Sequence, residues 1–400
     1  MNTHMNTGLM KPKPILIFLG ILEKGGTEMG LLRNMPLLRQ QGFDVQICAL
    51  SNTGSLIPHF REAGVPLHLP ARNAPGGIWG GCIGRFLYKG YQLWHVVRTL
   101  RRVRPAVFHC FLPHAYVIGA LAMVLSLYRG AWLYSRPSLN DYQETRPIIG
   151  FIERRILHRF VTLAIGNSGK ILQQLQDEGV PQSRLLLLHN GLDATRYEAG
   201  HITIPEELHQ LKQRHDLMMT VVANLHPYKG HDDLLAALSL IKKDLPEKWC
   251  VVCAGRDEKD QQKALLDKVK DYGLGGHVHF MGPSEHVPAL LQLSDLHIHP
   301  SHQEGLPNSV IEATLSGCPV IATDVGGTAD IIRHGETGLL VPPRDPQGLA
   351  AAIQVLVADT ALARRLGNAG LAHSKAQFAL TKSVAAYTKV YSAWVNQSVK

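Results

Sequence analysis

The stretch Leu296-His-Ile-His-Pro-Ser-His-Gln-Glu304-Gly-Leu-Pro-Asn-Ser-Val-Ile-Glu312-Ala-Thr-Leu-Ser-Gly317-Cys-Pro-Val-Ile-Ala-Thr-Asp324 decides the fold. Leu296–Pro300 is an apolar run of strand length, Pro307 suits the first turn of a helix, and Pro319–Thr323 is a second apolar run. Strand, loop, helix and strand in this order are the repeating unit of a parallel sheet. Glu304 ends the loop after the first strand, and Glu312 lies within the helix.

The same alternation continues outward in both directions. Apolar runs fall at 14–20, 44–50, 66–70, 106–111, 131–137, 161–167 and 185–190, and then at 218–224, 249–255, 277–282, 296–300, 319–323 and 337–342. Continuous apolar strands alternating with helices imply parallel sheets covered on both faces. Thirteen strands are too many for one comfortable doubly wound sheet. The polar stretch 192–216, which includes His201-Ile-Thr-Ile-Pro205, offers a break. The expected fold is α/β, with two Rossmann-like doubly wound domains facing across a cleft: 1–195 and 196–379. Val384, Tyr387, Val390, Tyr391 and Trp394 stand at helical spacing and predict a closing helix over about 380–400. Pro36, inside the first helix pattern, is expected to kink or shorten it.

Composition excludes several classes. Hydrophobic residues make up 45% and charged residues 18% of the 400, as in globular domains and unlike disordered, collagen-like or disulfide-scaffold chains. The net charge of +9 divides into +11 for residues 1–200 and −2 for 201–400. The basic half reads either as a solvated surface or as a face for an anionic partner such as a membrane or a phosphorylated substrate. No nucleic-acid-binding motif is present, so nucleic acid is not an expected partner. The six cysteines sit mostly in apolar runs, as reduced thiols of a cytoplasmic protein do. Cys250 and Cys253 form a C-x-x-C within a strand, where positions three apart point to opposite faces, and no second pair follows. Metal or redox chemistry is therefore not expected there. Lys11 and Lys13 before Ile15–Leu22 mimic a short signal sequence, but Glu23-Lys-Gly-Gly26 follows and not a cleavage site, so the run reads as a buried first strand. The longest apolar stretch, Ala115 to Tyr128, is 14 residues. That is short of the roughly 20 that span a bilayer, so membrane contact, if any, is peripheral.

Three motifs carry chemistry. Gly25-Gly26-Thr27-Glu28 follows the first strand and opens a helix, where paired glycines permit close backbone approach and the helix end favours anions. It is not the G-x-G-x-x-G of dinucleotide binding. Asn224-Leu-His-Pro-Tyr-Lys229-Gly230-His231 follows another strand, and its lysine suits a pyrophosphate or is an ordinary solvated turn lysine. Glu304 to Glu312 places a helix start at the carboxyl edge of the sheet, where phosphates or sugar hydroxyls are held, and carboxylates accept two hydrogen bonds from a polyol.

Together these motifs resemble the retaining glycosyltransferases of family 4, which have the GT-B architecture of two Rossmann-like domains. The resemblance covers nearly the whole chain. Ile165-Gly-Asn-Ser168 and His189-Asn-Gly-Leu-Asp193 match the strands closing the first domain, and Pro319–Asp324 with Gly326-Gly327 matches the strand and loop after the E-x7-E signature. It implies that a sugar moves from a nucleotide diphosphate sugar, most simply UDP-linked, to a hydroxyl of a glycan or lipid-linked acceptor. The setting it implies is cell-surface polysaccharide or lipid-linked oligosaccharide biosynthesis at the inner face of the cytoplasmic membrane. The closing helix would cross back to the first domain. Glu304 would lie near the sugar, Glu312 on the ribose and Lys229 on the diphosphate. The segment Gly305, Leu306, Pro307 and Asn308 would cradle the donor, Pro307 without an N–H to give. Gly282 and Val287 would flank the base, with Gly25 and Gly26 in the first-domain turn and Thr27 on the acceptor side. Asn224 stands where many relatives carry arginine. Arg256 is the candidate to compensate, or is a solvent-exposed arginine. The site histidine is His114, past the end of its strand, or alternatively His109, within the strand; the family's frequent H-x-H is absent because position 111 is Phe. Arg136 is a candidate for an acceptor phosphate. Asn73–Gly81 reads as an acceptor-side loop. In Cys82–Arg104, Phe86, Leu93, Val97 and Leu100 share one helix side, with Arg98 and Arg102 roughly opposite, as in a sheet-covering helix or a membrane-surface one. No metal and no cofactor beyond the substrate is expected. The competing readings are a non-catalytic nucleotide-sugar-binding subunit and another GT-B sugar enzyme such as an epimerase.

Overall fold

Each of the thirteen apolar runs overlaps a strand in the computed structural model, which describes residues 13–72, 82–140, 142–257 and 260–395. β1 (Ile15–Leu19), β2 (Val45–Ala49), β3 (Leu67–His68), β4 (Val107–Phe111), β5 (Ala131–Arg136), β6 (Leu163–Gly166) and β7 (Leu185–Leu187) form a seven-stranded sheet in the order β3-β2-β1-β4-β5-β6-β7. β8 (Leu217–Val222), β9 (Trp249–Ala254), β10 (Val278–Gly282), β11 (Leu296–His299), β12 (Val320–Thr323) and β13 (Leu339–Val341) form a six-stranded sheet in the order β10-β9-β8-β11-β12-β13. The pairs on both sides of β1 and of β8 are parallel. All of β1 and β4 is buried, which is why these strands read as unbroken apolar runs and not as alternating ones.

The second sheet is packed on both faces. Met219, Val221, Val251 and Cys253 meet Leu234, Leu238, Ile353 and Leu366 on one side, while Met218, Cys250 and Val252 meet Leu208 and Leu290 on the other. Cys250 and Cys253 thus take opposite faces, as the two-residue period of a strand requires. Leu306, Val310 and Ile311 anchor the helix Asn308–Leu315 in a third cluster with Ile331 and Phe378.

The chain forms two compact units: Met1–Gly166 with Leu175–Leu186 and Val384–Lys400, and Asn167–Gln174 with Leu187–Ser383. The change of unit falls at Leu187 and not at 195/196, and Asn167–Gln174 also cluster with the second unit. Hydrogen bonds explain both displacements. The Gly169 N–H donates to Asp330 Oδ2 at 2.7 Å, and the Leu192 N–H donates to the Phe378 carbonyl at 2.9 Å. The closing helix spans Leu380–Val395, and from Val384 onward it belongs to the first unit, where Tyr391 is wholly buried.

Two local expectations are corrected. The helix Gly26–Gln40 is not shortened at Pro36, because Leu31, Met35 and Leu38 bury its face and offset the one hydrogen bond that proline cannot donate. In the helix Cys82–Val103 the buried stripe is Val96, Val97 and Leu100, whereas Phe86 is 76% exposed and lies outside it. Asn73–Gly81 lies outside the described residues.

Candidate active site

The loops after β8, β9, β11 and β12 are pressed together at the carboxyl end of the second sheet. Gly230 has φ +71, and a Cβ there would stand 1.9 Å from the Pro300 carbonyl oxygen, so only glycine permits this approach. The turn Pro227–Lys229 ahead of it delivers Lys229 Nζ to 2.6 Å from Glu304 Oε1. His299, the last residue of β11, brings Nε2 to 2.8 Å from the same oxygen, and Ser309 Oγ lies 3.4 Å from His299 Nδ1. Burial alone would raise the Glu304 carboxyl, but the hydrogen bond from His299 and the charge of Lys229 outweigh it and hold the group at about 2. Glu304 is therefore a carboxylate, neutralised in advance by a lysine.

The backbone around Glu304 is fixed from the other side. A Cβ on Gly326, at φ +55, would lie 1.7 Å from the Glu304 carbonyl oxygen, and the Gly327 N–H donates to the Gly305 carbonyl at 2.8 Å. Pro307 precedes the helix Asn308–Leu315 with no side-chain cap, and half-buried Glu312 lies within that helix. Asn190 Nδ2 donates to Asn308 Oδ1 at 2.9 Å.

Asn224 acts on the loops. Its Oδ1 accepts the Arg256 N–H at 3.0 Å, which ties the segment after β8 to the one after β9 and sets half-buried Arg256 beside it. Gly282, at φ +71, ends β10 and accepts the Gly255 N–H at 2.9 Å, while half-buried Val287 opens the next helix. Two histidines here went unremarked as site residues in the sequence. One is His299. The other is His231, which is buried, neutral because burial lowers it to about 4, and without a hydrogen-bond partner on either ring nitrogen among the described residues. The available signal for His299 was the pair His297-Ile-His299 at a strand end.

In the first unit, Gly25 caps the helix that Gly26 and Thr27 open after β1, and a Cβ on Gly25 would meet Glu28 Oε2 at 2.5 Å. His114 lies exposed in the first turn of the helix Pro113–Ser126, near Gly20 at the end of β1. Leu112 before it holds φ +69, a left-handed conformation that a branched side chain adopts under strain. Partial burial, then Arg146 and Lys89, lower the His114 imidazole below its ordinary value.

His109, the alternative histidine, belongs to the core. It is fully buried, its Nε2 lies 2.8 Å from Ser135 Oγ and its Nδ1 3.0 Å from Tyr391 Oη. Burial lowers it to about 3, so it is neutral.

Arg136 is likewise not a surface contact for an acceptor. It is wholly buried, and one guanidinium nitrogen reaches both Glu178 oxygens at 2.8 and 2.7 Å. Asn140, Gln143 and His158 also bond Glu178, at 2.9, 3.1 and 3.1 Å. Burial would raise Glu178, but His158 and Arg136 hold it at about 2.

Glu153, in the same network, goes the other way. It accepts hydrogen bonds from Tyr142 and Gln143, yet burial dominates and pushes it up to about 7. A folded state that keeps a proton which the unfolded chain releases near 4.5 is favoured below that pH and loses the advantage as pH rises towards 7. Glu153→Gln removes the penalty. It is expected to stabilise the protein at pH 8 by roughly 2–3 kcal/mol and to give no gain at pH 4.5, measured by thermal denaturation. Equal shifts at both pH values would contradict this.

Comparison with known proteins assigns the chain. Residues 25–191 match the family described as glycosyl transferase 4-like domain, and residues 206–373 match glycosyl transferases group 1. The D-inositol 3-phosphate glycosyltransferase of Rhodococcus jostii (strain RHA1) is 30% identical over 361 residues, 85% of this chain and 78% of that protein. The chain belongs to the group 1, family 4-type glycosyltransferases.

This glycosyltransferase has further curated relatives named as glycosyl-transferring enzymes. The protein of the same name from Nocardia farcinica (strain IFM 10152) is 26% identical over 395 residues, 94% of this chain and 86% of that one. The GT-B fold is shared with the Anabaena protein Alr3699/HepE, crystallised with UDP, at a TM-score of 0.81 and 21% identity over 95% of this chain and 100% of that one. Among the described residues of the glycosyltransferase, no helix is long and apolar enough to cross a membrane.

Proposed function

We propose that this glycosyltransferase moves a hexosyl group from a UDP-sugar, with retention at the anomeric carbon, to a hydroxyl of a glycan or lipid-linked acceptor. The setting is assembly of a cell-surface polysaccharide or lipid-linked oligosaccharide. The observation that carries the reading is the ion pair Lys229–Glu304, completed by His299, at the carboxyl edge of a parallel sheet. As the bond between the anomeric carbon and the β-phosphate oxygen breaks, negative charge grows on the leaving diphosphate. Lys229 and the start of the helix at Asn308 stabilise it. Glu304 already holds Lys229 in place and retains a second oxygen for sugar hydroxyls. Glu312 holds the ribose. The acceptor oxygen bonds the anomeric carbon on the face the phosphate leaves, and its proton passes to that phosphate. In the first unit, His114 is the candidate site histidine. No metal is required by this scheme.

The choice of UDP is supported by fold relatives crystallised with UDP and UDP-glucose. Lys229→Ala is expected to weaken UDP binding by roughly ten- to a hundredfold, the range for a lost hydrogen bond to a charged group. A thermal-shift panel of UDP, GDP, ADP and TDP with their sugar conjugates measures it. A shift selective for UDP and removed by Lys229→Ala supports the assignment. A shift by another base, or one that survives the substitution, overturns it.

The membrane reading draws on the first unit. The helix Pro113–Ser126 and its end expose Leu121, Val124, Leu125 and Leu127, and the helical stretch 147–160 exposes Ile148, Phe151, Ile156 and Phe160. Arg101, Arg129, Arg154, Arg155 and Arg159 are exposed on the same elements or next to them, and Arg101 donates to the Leu125 carbonyl at 2.7 Å. Apolar side chains rimmed by arginines suit an anionic lipid surface. Val124→Asp with Leu127→Asp is expected to weaken binding to phosphatidylglycerol vesicles by roughly tenfold or more in a flotation assay. Unchanged flotation would place the surface elsewhere.

A further inference from the structure

The C-x-x-C of β9 does not pair with itself, but Cys250 has other company. We propose that His215, Cys250 and His279 form a site for a divalent metal ion of the zinc class at the amino end of the second sheet. The three ligand atoms lie within 4.8 Å of one another. Bonds of zinc length in a tetrahedral arrangement separate such atoms by about 3.4–3.6 Å, so roughly an ångström of side-chain rotation closes the set.

The topology explains the meeting. β10, β9 and β8 are neighbours in the sheet. Cys250 is the second residue of β9 and His279 the second of β10, and His279 is level with Val252, which shares the Cys250 face. His215 comes from the chain entering β8. Lys229 and Glu304 follow the opposite, carboxyl ends of their strands, so the proposed site is separate from the donor site.

Two further features point to a ligand. His215 Nδ1 lies 2.8 Å from the Leu211 carbonyl oxygen, which makes Nδ1 the protonated nitrogen and leaves the lone pair on Nε2. A backbone carbonyl holding the far nitrogen is the usual outer support of a metal-bound histidine. His279 Nε2 is buried without a hydrogen-bond partner among the described residues. A metal ion satisfies that atom. Two imidazoles and one thiolate form a borderline-soft set that favours zinc over magnesium or calcium. Three protein ligands leave a fourth position for water. The Cys250 proton passes to solvent on binding. The ion would fasten the starts of three adjacent strands.

Cobalt(II) titrated into chelator-treated full-length protein tests the proposal, because thiolate ligation to cobalt gives a near-ultraviolet charge-transfer band. The expected result is a band that saturates at one equivalent and is displaced by zinc, with a melting temperature raised by zinc. Cys250→Ser and His279→Gln each abolish the band and the zinc-induced rise, while Cys253→Ser, on the other face, keeps both. His279→Gln leaves the buried thiol intact, so it reports on the site even if Cys250→Ser does not fold. No band in the wild-type protein overturns the proposal. So does a band that persists in His279→Gln or Cys250→Ser, or zinc binding equal in wild type and both variants, which is the behaviour of scattered surface histidines.

Discussion

Glu304→Ala is expected to lower kcat/KM for sugar transfer by roughly 10²–10³-fold, the range for removing one electrostatic element from a preorganised site. The physical reason lies in its two partners. Lys229 Nζ and His299 Nε2 both converge on Glu304 Oε1, at 2.6 and 2.8 Å. Without the carboxylate neither cation nor imidazole is held, and the sugar loses the acceptor oxygen Oε2. Glu304→Gln keeps both neighbours in reach and removes only the charge, so it should retain more of the fold's stability and little of the activity. UDP binding should persist in both variants, because Lys229 remains. Steady-state kinetics with a UDP-sugar, read beside UDP affinity, checks this. Wild-type turnover in Glu304→Ala would remove the residue from the chemistry.

Arg136→Met is expected to give the largest loss of stability, about 3–5 kcal/mol, because it leaves the Glu178 carboxylate buried without its arginine. For a unit of nearly two hundred residues this corresponds to a melting temperature lower by roughly 10 °C or more. The double variant Arg136→Met with Glu178→Met should recover part of the loss, since no unpaired carboxylate remains. The sign with pH follows from Glu178, held at about 2 against an ordinary 4.5. Its contribution is complete above 4.5 and fades as pH falls towards 2, and Arg136→Met should shrink that acid-side slope. Thermal denaturation across pH measures both effects. An unchanged melting temperature with a raised acceptor KM would instead return Arg136 to the acceptor site.

Much of this was legible in the linear chain. Buried parallel strands need apolar side chains on both faces, and that need writes itself into short runs such as Ile15–Leu19 and Trp249–Ala254. Close backbone approach needs glycine, and Gly230 beside Lys229 and Gly326-Gly327 behind Glu304 stand in the motifs that carried the family resemblance. Composition separated a basic first half from a nearly neutral second half, and the exposed arginines of the first unit bear that charge.

The roles of individual polar side chains were settled differently. His109 and His114 are five residues apart, and the sequence left both open as the site histidine, one within its strand and one past its end. One is buried between Ser135 and Tyr391, the other exposed at a helix start. Arg136 read as a candidate for an acceptor phosphate; its carboxylate lies on another element, at Glu178. His299 joins Glu304 through the reach of a loop. His215, Cys250 and His279 meet only because the sheet sets β8, β9 and β10 side by side. The sequence by itself determined the layers, the strand count and the glycine-dependent loops, since hydrophobic burial and backbone sterics act on local pattern. Only the tertiary structure decided which polar groups are paired, neutral or open to a ligand, because desolvation and ion pairing depend on neighbours brought from distant parts of the chain.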